Sequence, residues 1–221
     1  MSVGINSQLE SSVVFKDAPI GLYKPIYSKS GTSTIYLDSK LKKIDANAYD
    51  FLRLQGLCCV EVTKKETNCY VEENRKKLQR IAISIGIFVT LNYFSINLAS
   101  AAGFSFCPWF LTDRLEYCAA NRIKEEKADN KAIQQADKAQ LEGGIRFYMA
   151  LQQAHQRKVN DNLLNLFFFT LSGEKRIISL EELPSLEGRI SKLKSKLKDL
   201  GEPWYEGKDQ EKIDEIENFF V

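Results

Sequence analysis

Residues 81–112 contain no Asp, Glu, Lys or Arg, although these four types make up 27% of the chain. An uncharged run of this length restricts the possible folds more than any other feature of the sequence. A helix that crosses a bilayer needs about 20 mostly apolar residues, and it satisfies its backbone hydrogen bonds internally. Ser, Thr and Asn within the run are tolerated in such helices, because they bond to backbone or to neighbouring helices. We therefore predict a transmembrane helix over residues 81–106.

The charges beside the run predict its orientation. Four basic residues lie just before it (Arg75, Lys76, Lys77 and Arg80), whereas the charges that follow it are balanced. Positive charge is retained on the cytoplasmic side of a membrane. The sequence therefore predicts a single-pass membrane protein with its N-terminus on the cytoplasmic side.

Two other interpretations of the run stay open at this point. Ile81, Ile83, Ile85, Ile87 and Val89 alternate with smaller residues, and this period of two in β-branched residues is typical of a strand. Residues 81–98 are therefore open between a helix and a hairpin. A helix in the core of a soluble protein would also lack charges, and residues 81–111 would then be buried.

Small residues recur every four positions along the run, which would place them on shared faces of a helix. Small side chains let two helix backbones approach closely in lipid. The candidate helix-packing positions in the membrane are Ala82, Gly86, Thr90, Ser95, Ala99 and Gly103.

The segment before the run reads as a flexible arm over residues 1–20 and a small β-rich α+β module over residues 21–75. A strand, a turn and a strand are predicted within residues 21–38. A short helix over residues 46–55 would be stopped by Gly56. A second hairpin would then carry Cys58, Cys59 and Cys69, which we interpret as buried thiols.

The segment after the run, residues 108–221, is predicted to be a mainly helical domain with one possible β-hairpin around residues 167–180. A long helix would end at Gly143 and Gly144, and a second would follow over residues 145–160. A disulfide between Cys107 and Cys118 is left open. A heptad spacing predicts a helical seam that either packs within its own domain or binds a partner helix, formed by Leu186, Ile190, Leu193, Leu197 and Leu200.

The sequence lacks the usual signatures of catalysis. It has no phosphate-binding Gly-rich loop, no H-E-x-x-H and no G-x-S-x-G. Its one histidine, His155, lies among Gln and Arg and is interpreted as a solvated surface residue. We predict no catalytic residue, no metal and no cofactor. A net charge of +2 disfavours nucleic acid as a partner.

The predicted fold class is an α+β membrane protein with a small β-rich N-terminal module, one transmembrane helix and a mainly helical C-terminal domain. The predicted function is a non-enzymatic single-pass subunit or tether of a larger membrane assembly. Its expected partners are the other subunits of that complex and the lipid bilayer. The alternative is a soluble secreted or injected binding or effector protein in which residues 81–111 form buried core.

Overall fold

The structure is a computed structural model that describes residues 13–17, 24–27, 33–66, 81–90, 121–162, 164–165, 169–173, 184–205 and 207–220. Three strands come first, β1 (Val13–Asp17), β2 (Lys24–Tyr27) and β3 (Ser33–Leu37). The helices that follow are α1 (Ser39–Ile44), α2 (Ala46–Glu66), α3 (81–90), α4 (121–135), α5 (Lys138–Asp161), α6 (Leu186–Asp199) and α7 (Gln210–Asn218). For α3 and α4 the ranges give only the helical residues that the structure describes.

The three strands form one small sheet with the order β1-β3-β2. β3 pairs in parallel with β1 and antiparallel with β2. Along β3 the side chains of Ser33, Ile35 and Leu37 are buried and the two between them are half-buried. This period of two places one face of the sheet against the helices.

Aspartate side chains define the starts of the first two helices. Asp17 at the end of β1 accepts hydrogen bonds from both the backbone nitrogen and the hydroxyl of Ser39. Asp38 accepts from the backbone of Lys40, and so caps α1. Asp45 accepts from two backbone N–H groups in the first turn of α2. These bonds satisfy N–H groups that have no partner within their own helix.

α2 corrects the predicted N-terminal module. It is continuous over Ala46–Glu66, so Gly56 does not end a helix and residues 57–62 do not form a strand. Within residues 51–60 every side chain except that of Arg53 is buried. A short apolar run buried on nearly all sides shows no periodicity that distinguishes a helix from a strand. Cys69, which was predicted to lie on the same hairpin, is outside the described residues.

The break between α4 and α5 also differs from the prediction. The chain leaves the helix at residues 136–137 and not at Gly143. Asp137 and Gln140 form a reciprocal capping box that starts α5. Gly143 and Gly144 lie within α5, where a Cβ on the first would overlap the backbone of residues 47–48 and a Cβ on the second would lie 2.7 Å from the Phe51 ring. Both glycines therefore allow α5 to approach α2 closely.

Most of the buried apolar residues that the structure describes form one hydrophobic cluster, which extends from Val13 to Ile216. Residues from the sheet, from α2 and from the helices after residue 120 all contribute to it. Its fully buried members include Ile35, Phe51, Leu141, Ile145, Leu193 and Ile213. The segments before and after the uncharged run therefore pack against each other.

The prediction of a transmembrane helix over residues 81–106 is wrong. None of the helices in the described residues is long and apolar enough to cross a membrane. The membrane location, the single-pass topology and the α+β membrane fold class are corrected with it. The described chain is mainly helical with one small sheet, and residues 91–106 lie outside it.

Candidate protein-binding surface

α3 exposes most of its side chains although it contains no charged residue. Ser84 is buried and Phe88 is half-buried, and this spacing of four places them on one face of the helix. The other eight residues are exposed, and the exposed fractions of Ile83 and Val89 are 62% and 60%. Neither the hairpin nor the buried core predicted for this segment fits these ten residues. Several large aliphatic side chains are exposed on these ten residues, which makes this part of α3 a candidate binding surface.

The alternation of large residues explains why they are exposed on several sides. Positions two apart in a helix differ by about 200°, so Ile81, Ile83, Ile85 and Ile87 cannot share one face. A strand would have placed all of them on one side of a sheet. As a helix, the segment can turn only part of this apolar surface toward the rest of the chain.

One face of α3 carries a shallow open hollow of about 360 Å³. Its described lining consists of Ile83, Gly86, Ile87 and Thr90, whose spacing of three, four and seven is that of a single helix face. We call these four residues the α3 stripe. Among the residues that the structure describes, a Cβ added at Gly86 would meet nothing within 4 Å, so the described stripe has an open notch beside the two isoleucines.

The α3 stripe offers hydrocarbon and little polarity. The hydroxyl of Thr90 donates to the backbone oxygen of Gly86 at 2.8 Å, so its donor is already used within the helix. No charged residue occurs within residues 81–112. A partner on this face is therefore held by apolar contact, which is proportional to the area removed from water.

The structure describes only some of the predicted helix-packing positions. Ala82, Gly86 and Thr90 lie on α3 and are exposed, and two of the three belong to the α3 stripe. Ser95, Ala99 and Gly103 lie outside the described residues, as do Cys107 and Cys118.

Most of the predicted partner seam lies inside this chain. Leu186, Ile190, Leu193 and Leu197 are buried in its own core, whereas Leu200 is 51% exposed at the end of α6. The ammonium of Lys192 binds Glu126 at 2.7 Å and Asn130 at 3.0 Å, which attaches α6 to α4. The heptad spacing thus describes how α6 packs onto neighbouring helices of the same chain.

A cluster of buried polar side chains joins four helices. The Gln55 amide on α2 donates to Asp129 on α4 and accepts a 2.9 Å hydrogen bond from the Tyr148 hydroxyl on α5. The Nε atom of Arg189 on α6 lies 2.7 Å from the Asp129 carboxylate. The guanidinium of Arg189 also lies 5.2 Å from the centre of the Tyr148 ring. We call these four residues the Asp129 cluster.

Burial sets the protonation behaviour of this region. It raises the pKa of the Asp129 carboxyl, and the charge of Arg189 with the hydrogen bonds from Gln55 and Arg189 offsets this only in part. Burial also raises the pKa of the Tyr148 hydroxyl, and it raises that of the neighbouring Cys58 thiol to about 12. A thiol with so high a pKa is a poor nucleophile at neutral pH. The contacts of the Asp129 cluster therefore join α2, α4, α5 and α6 within the core.

A second polar cluster connects α5 to the residues that precede α2 and α7. The buried Arg146 on α5 places Nε 2.5 Å from Asp45 and Nη1 2.6 Å from Asp209. Burial alone would raise the pKa of Asp45, but the hydrogen bonds from Arg146, Ala48 and Asn47 and the Arg146 charge hold it below its usual value. Arg146 therefore binds the start of α2 and the residue before α7 to the middle of the molecule.

His155 is buried and not solvated as predicted. Its Nδ1 lies 2.9 Å from the backbone oxygen of Gly173, and its ring centre is 4.5 Å from that of Phe169. Residues 169–173 therefore pack over α5 at this point. Within the described residues no three His, Cys, Asp or Glu side chains are grouped so that they could hold a metal ion.

Sequence reasoning identified Gly86 and Thr90 but assigned the neighbouring isoleucines to lipid or to a strand. It missed the roles of Asp129, Arg146 and Arg189, whose ion-pair partners lie at least 60 positions away in the sequence. The sequence signal for these roles is that Arg146 and Arg189 occupy helix positions that face the core, where a charged side chain needs a partner. Comparison with known protein families, curated proteins and solved structures finds no match to this chain.

Proposed function

We propose that this chain is a non-enzymatic protein-binding module that docks a helix of another protein molecule on the α3 stripe. The observation that carries the proposal is the exposed face of α3, where Ile83 and Ile87 flank the open notch at Gly86. This is the binding-protein alternative of the sequence analysis, with residues 81–90 as its surface and not as its core.

The chemistry of the α3 stripe favours a protein partner over other ligands. Small-molecule pockets are enclosed and contain a few converging polar groups that orient the ligand. The hollow on α3 is open, and its single hydroxyl bonds to the helix itself. Nucleic acids are attracted by the positive charges of Lys and Arg, and residues 81–112 contain neither of these residue types.

The shape of the stripe favours a helix as the docked element. Side chains three and four apart form ridges, and a ridge on one helix packs into the groove of another. Gly86 opens that groove, so a large apolar side chain of the partner can enter between Ile83 and Ile87. Such a partner would be an amphipathic helix whose contact face has no charge.

The non-enzymatic part of the proposal rests on how the buried titratable groups are used. Arg146 binds both Asp45 and Asp209, and Arg189 binds Asp129. Their charges are engaged in contacts between helices, whereas a catalytic acid or base must reach a substrate atom.

The experiment is site-specific photocrosslinking in the full chain. Benzoylphenylalanine replaces Ile83 in one variant and the exposed Glu215 on α7 in a matched control. We expect a discrete adduct at position 83 and none at 215. Gly86→Lys, added to the first variant, should reduce that adduct about tenfold, because an ammonium group is costly to bury in an apolar contact. No adduct at position 83, or an adduct that Gly86→Lys leaves unchanged, would contradict the proposal.

A further inference from the structure

The C-terminal part of the chain packs on α5 through contacts that can be released together. We infer that residues 202–205 and 207–220 form a latch that opens from α5 as one unit while the rest of the core stays folded. We call these residues the C-terminal latch. They lie in a different part of the molecule from the α3 stripe, so this inference does not depend on the proposed function.

Four ion pairs attach the C-terminal latch to α5. The α5 members are spaced by four, four and eleven positions, which places them on one side of the helix. From the start of α5 onward the pairs are Lys138 with Glu202, Glu142 with Lys208, Arg146 with Asp209, and Arg157 with Glu217. The pairs follow the same order along both segments, and each charge meets one of opposite sign. The charges therefore fix the register of the latch on α5.

Water already reaches at least one member of every pair. The side chain of Asp209 is 29% exposed although that of Arg146 is buried. The side chains of Lys208 and Arg157 are 35% and 44% exposed, and both members of the Lys138 pair are about half exposed. Partly hydrated ion pairs contribute little to stability, and salt weakens them. The ion pairs therefore direct the latch to its site without holding it tightly.

Opening of the latch does not leave Arg146 without a counter-charge. The Nε atom of Arg146 lies 2.5 Å from the carboxylate of Asp45, which precedes α2 and does not belong to the latch. Asp209, the partner that would leave, returns to water. A buried cation with no counter-charge would make opening costly. The pairing of Arg146 with two carboxylates avoids that cost.

α7 depends on its contact with α5 for its own helical structure. It has nine residues, and so short a helix is not stable alone in water. Asp209 stands at its N-cap, but the carboxylate binds Arg146 and makes no capping hydrogen bond. The buried apolar side chains of α7 are Ile213 and Ile216, and among the described elements α7 packs mainly on α5. Undocking should therefore unfold α7, so that all of its amides become open to exchange in the same event.

The chain between α6 and α7 can act as the hinge of this movement. Residues 200–203 are exposed, and Gly201 has a φ of +80°. Gly207 has a φ of +79°, and a Cβ on either glycine would meet none of the described residues within 4 Å. Hinges are a few loop residues that absorb large backbone rotations. These two positions can do so without a collision.

The test is hydrogen exchange of the full chain, followed by NMR at single amides and expressed relative to unfolded peptides. We expect residues 213–217 to exchange at least about tenfold faster than residues 190–197 of α6, as a part that opens separately from the core does. Asp209→Asn removes the charge and keeps a residue type that tolerates a positive φ. It should speed exchange throughout residues 213–217 about tenfold, the effect of losing one charge-assisted hydrogen bond. Exchange in α2 and α6 should stay unchanged, because Asp45 still pairs with Arg146.

The matched control is Lys192→Gln, which removes an ion pair of similar exposure between α6 and α4. It should leave the exchange of residues 213–217 unchanged. Equal protection of residues 213–217 and of α6 would overturn the inference, because α7 would then open only when the whole fold does. An effect of Asp209→Asn that is confined to the first turn of α7 would also overturn it, as local fraying and not opening of the unit. So would an effect that spreads equally over α2 and α6.

Discussion

The guanidinium of Arg146 lies 2.5 Å from Oδ2 of Asp45, and both side chains are buried. The other carboxylate oxygen of Asp45 accepts hydrogen bonds from the backbone of Asn47 and Ala48, which begin α2. One carboxylate therefore starts α2 and fixes it to α5. The same arginine reaches Asp209, so the start of α7 depends on it as well.

Asp45→Asn tests the importance of this buried pair. Asp45→Asn leaves the buried Arg146 with Asp209 as its remaining carboxylate partner, and breaking a buried ion pair typically costs about 3 kcal/mol. We expect a loss of this size in the free energy of unfolding, measured in urea. The control is Glu202→Gln, which removes a half-exposed partner of Lys138 and should leave the unfolding midpoint unchanged. Equal effects of the two substitutions would show that burial of the Arg146 pair does not matter.

The two buried aspartates should respond to pH in opposite directions. The pKa of Asp45 is lowered in the fold, so its contribution is present above the unfolded value of about 3.9 and is lost as the pH falls through the folded value. The stability difference between the native chain and Asp45→Asn should therefore shrink on acidification below about pH 4. It is measured by urea unfolding at a series of pH values.

Asp129 has the opposite sign because its pKa is raised. Its contribution is complete below the unfolded value of about 3.9 and is lost as the pH rises through the folded value. Asp129→Asn should become more favourable relative to the native chain as the pH rises through this interval. If both variants changed in the same direction with pH, the assigned shift of one aspartate would be incorrect.

The same substitution should have opposite effects at two glycines. Gly143→Ala places a methyl group against the backbone of α2 and should destabilise the fold by at least about 2 kcal/mol. Gly86→Ala adds a methyl group that meets none of the described residues within 4 Å, and within a helix it should stabilise α3 by about 0.5–1 kcal/mol. Thermal or urea unfolding of the two variants gives the comparison. A harmless Gly143→Ala would mean that α5 and α2 do not approach closely.

The seam on α6 is tested by Leu193→Ala and Leu200→Ala. Leu193 is fully buried in the core, so its truncation should cost about 2–5 kcal/mol. Leu200 is exposed, and its truncation should change the free energy of unfolding by less than about 0.5 kcal/mol. Similar small effects at both positions would favour a partner of another chain as the cover of this seam.

Local signals in the sequence identify features that depend on nearby residues. Ser185 caps the start of α6, and the spacing of Leu186, Ile190, Leu193 and Leu197 lies within it; a cap and a periodicity act over one or two turns. The uncharged run likewise directs attention to Gly86 and Thr90, because composition and spacing are properties of the chain itself. The surroundings of these residues depend on the fold, and for that reason the sequence alone predicts a membrane environment for them.

Tertiary packing decides the rest. Residues 57–60 are helical because α2 is enclosed on nearly all sides, and a short apolar run by itself does not distinguish a helix from a strand. Gly143 interrupts nothing, because another helix lies against it.

Three properties of this protein could therefore be determined from sequence alone: which segment lacks charge, where its small residues recur, and which positions of α6 face the core. That Arg146 meets Asp45, 101 positions away, was decided only when the helices packed. So was the exposure of Ile83 and Ile87. The physical reason is that capping and periodicity act between residues near in sequence, whereas burial and ion pairing depend on residues that only the fold brings together.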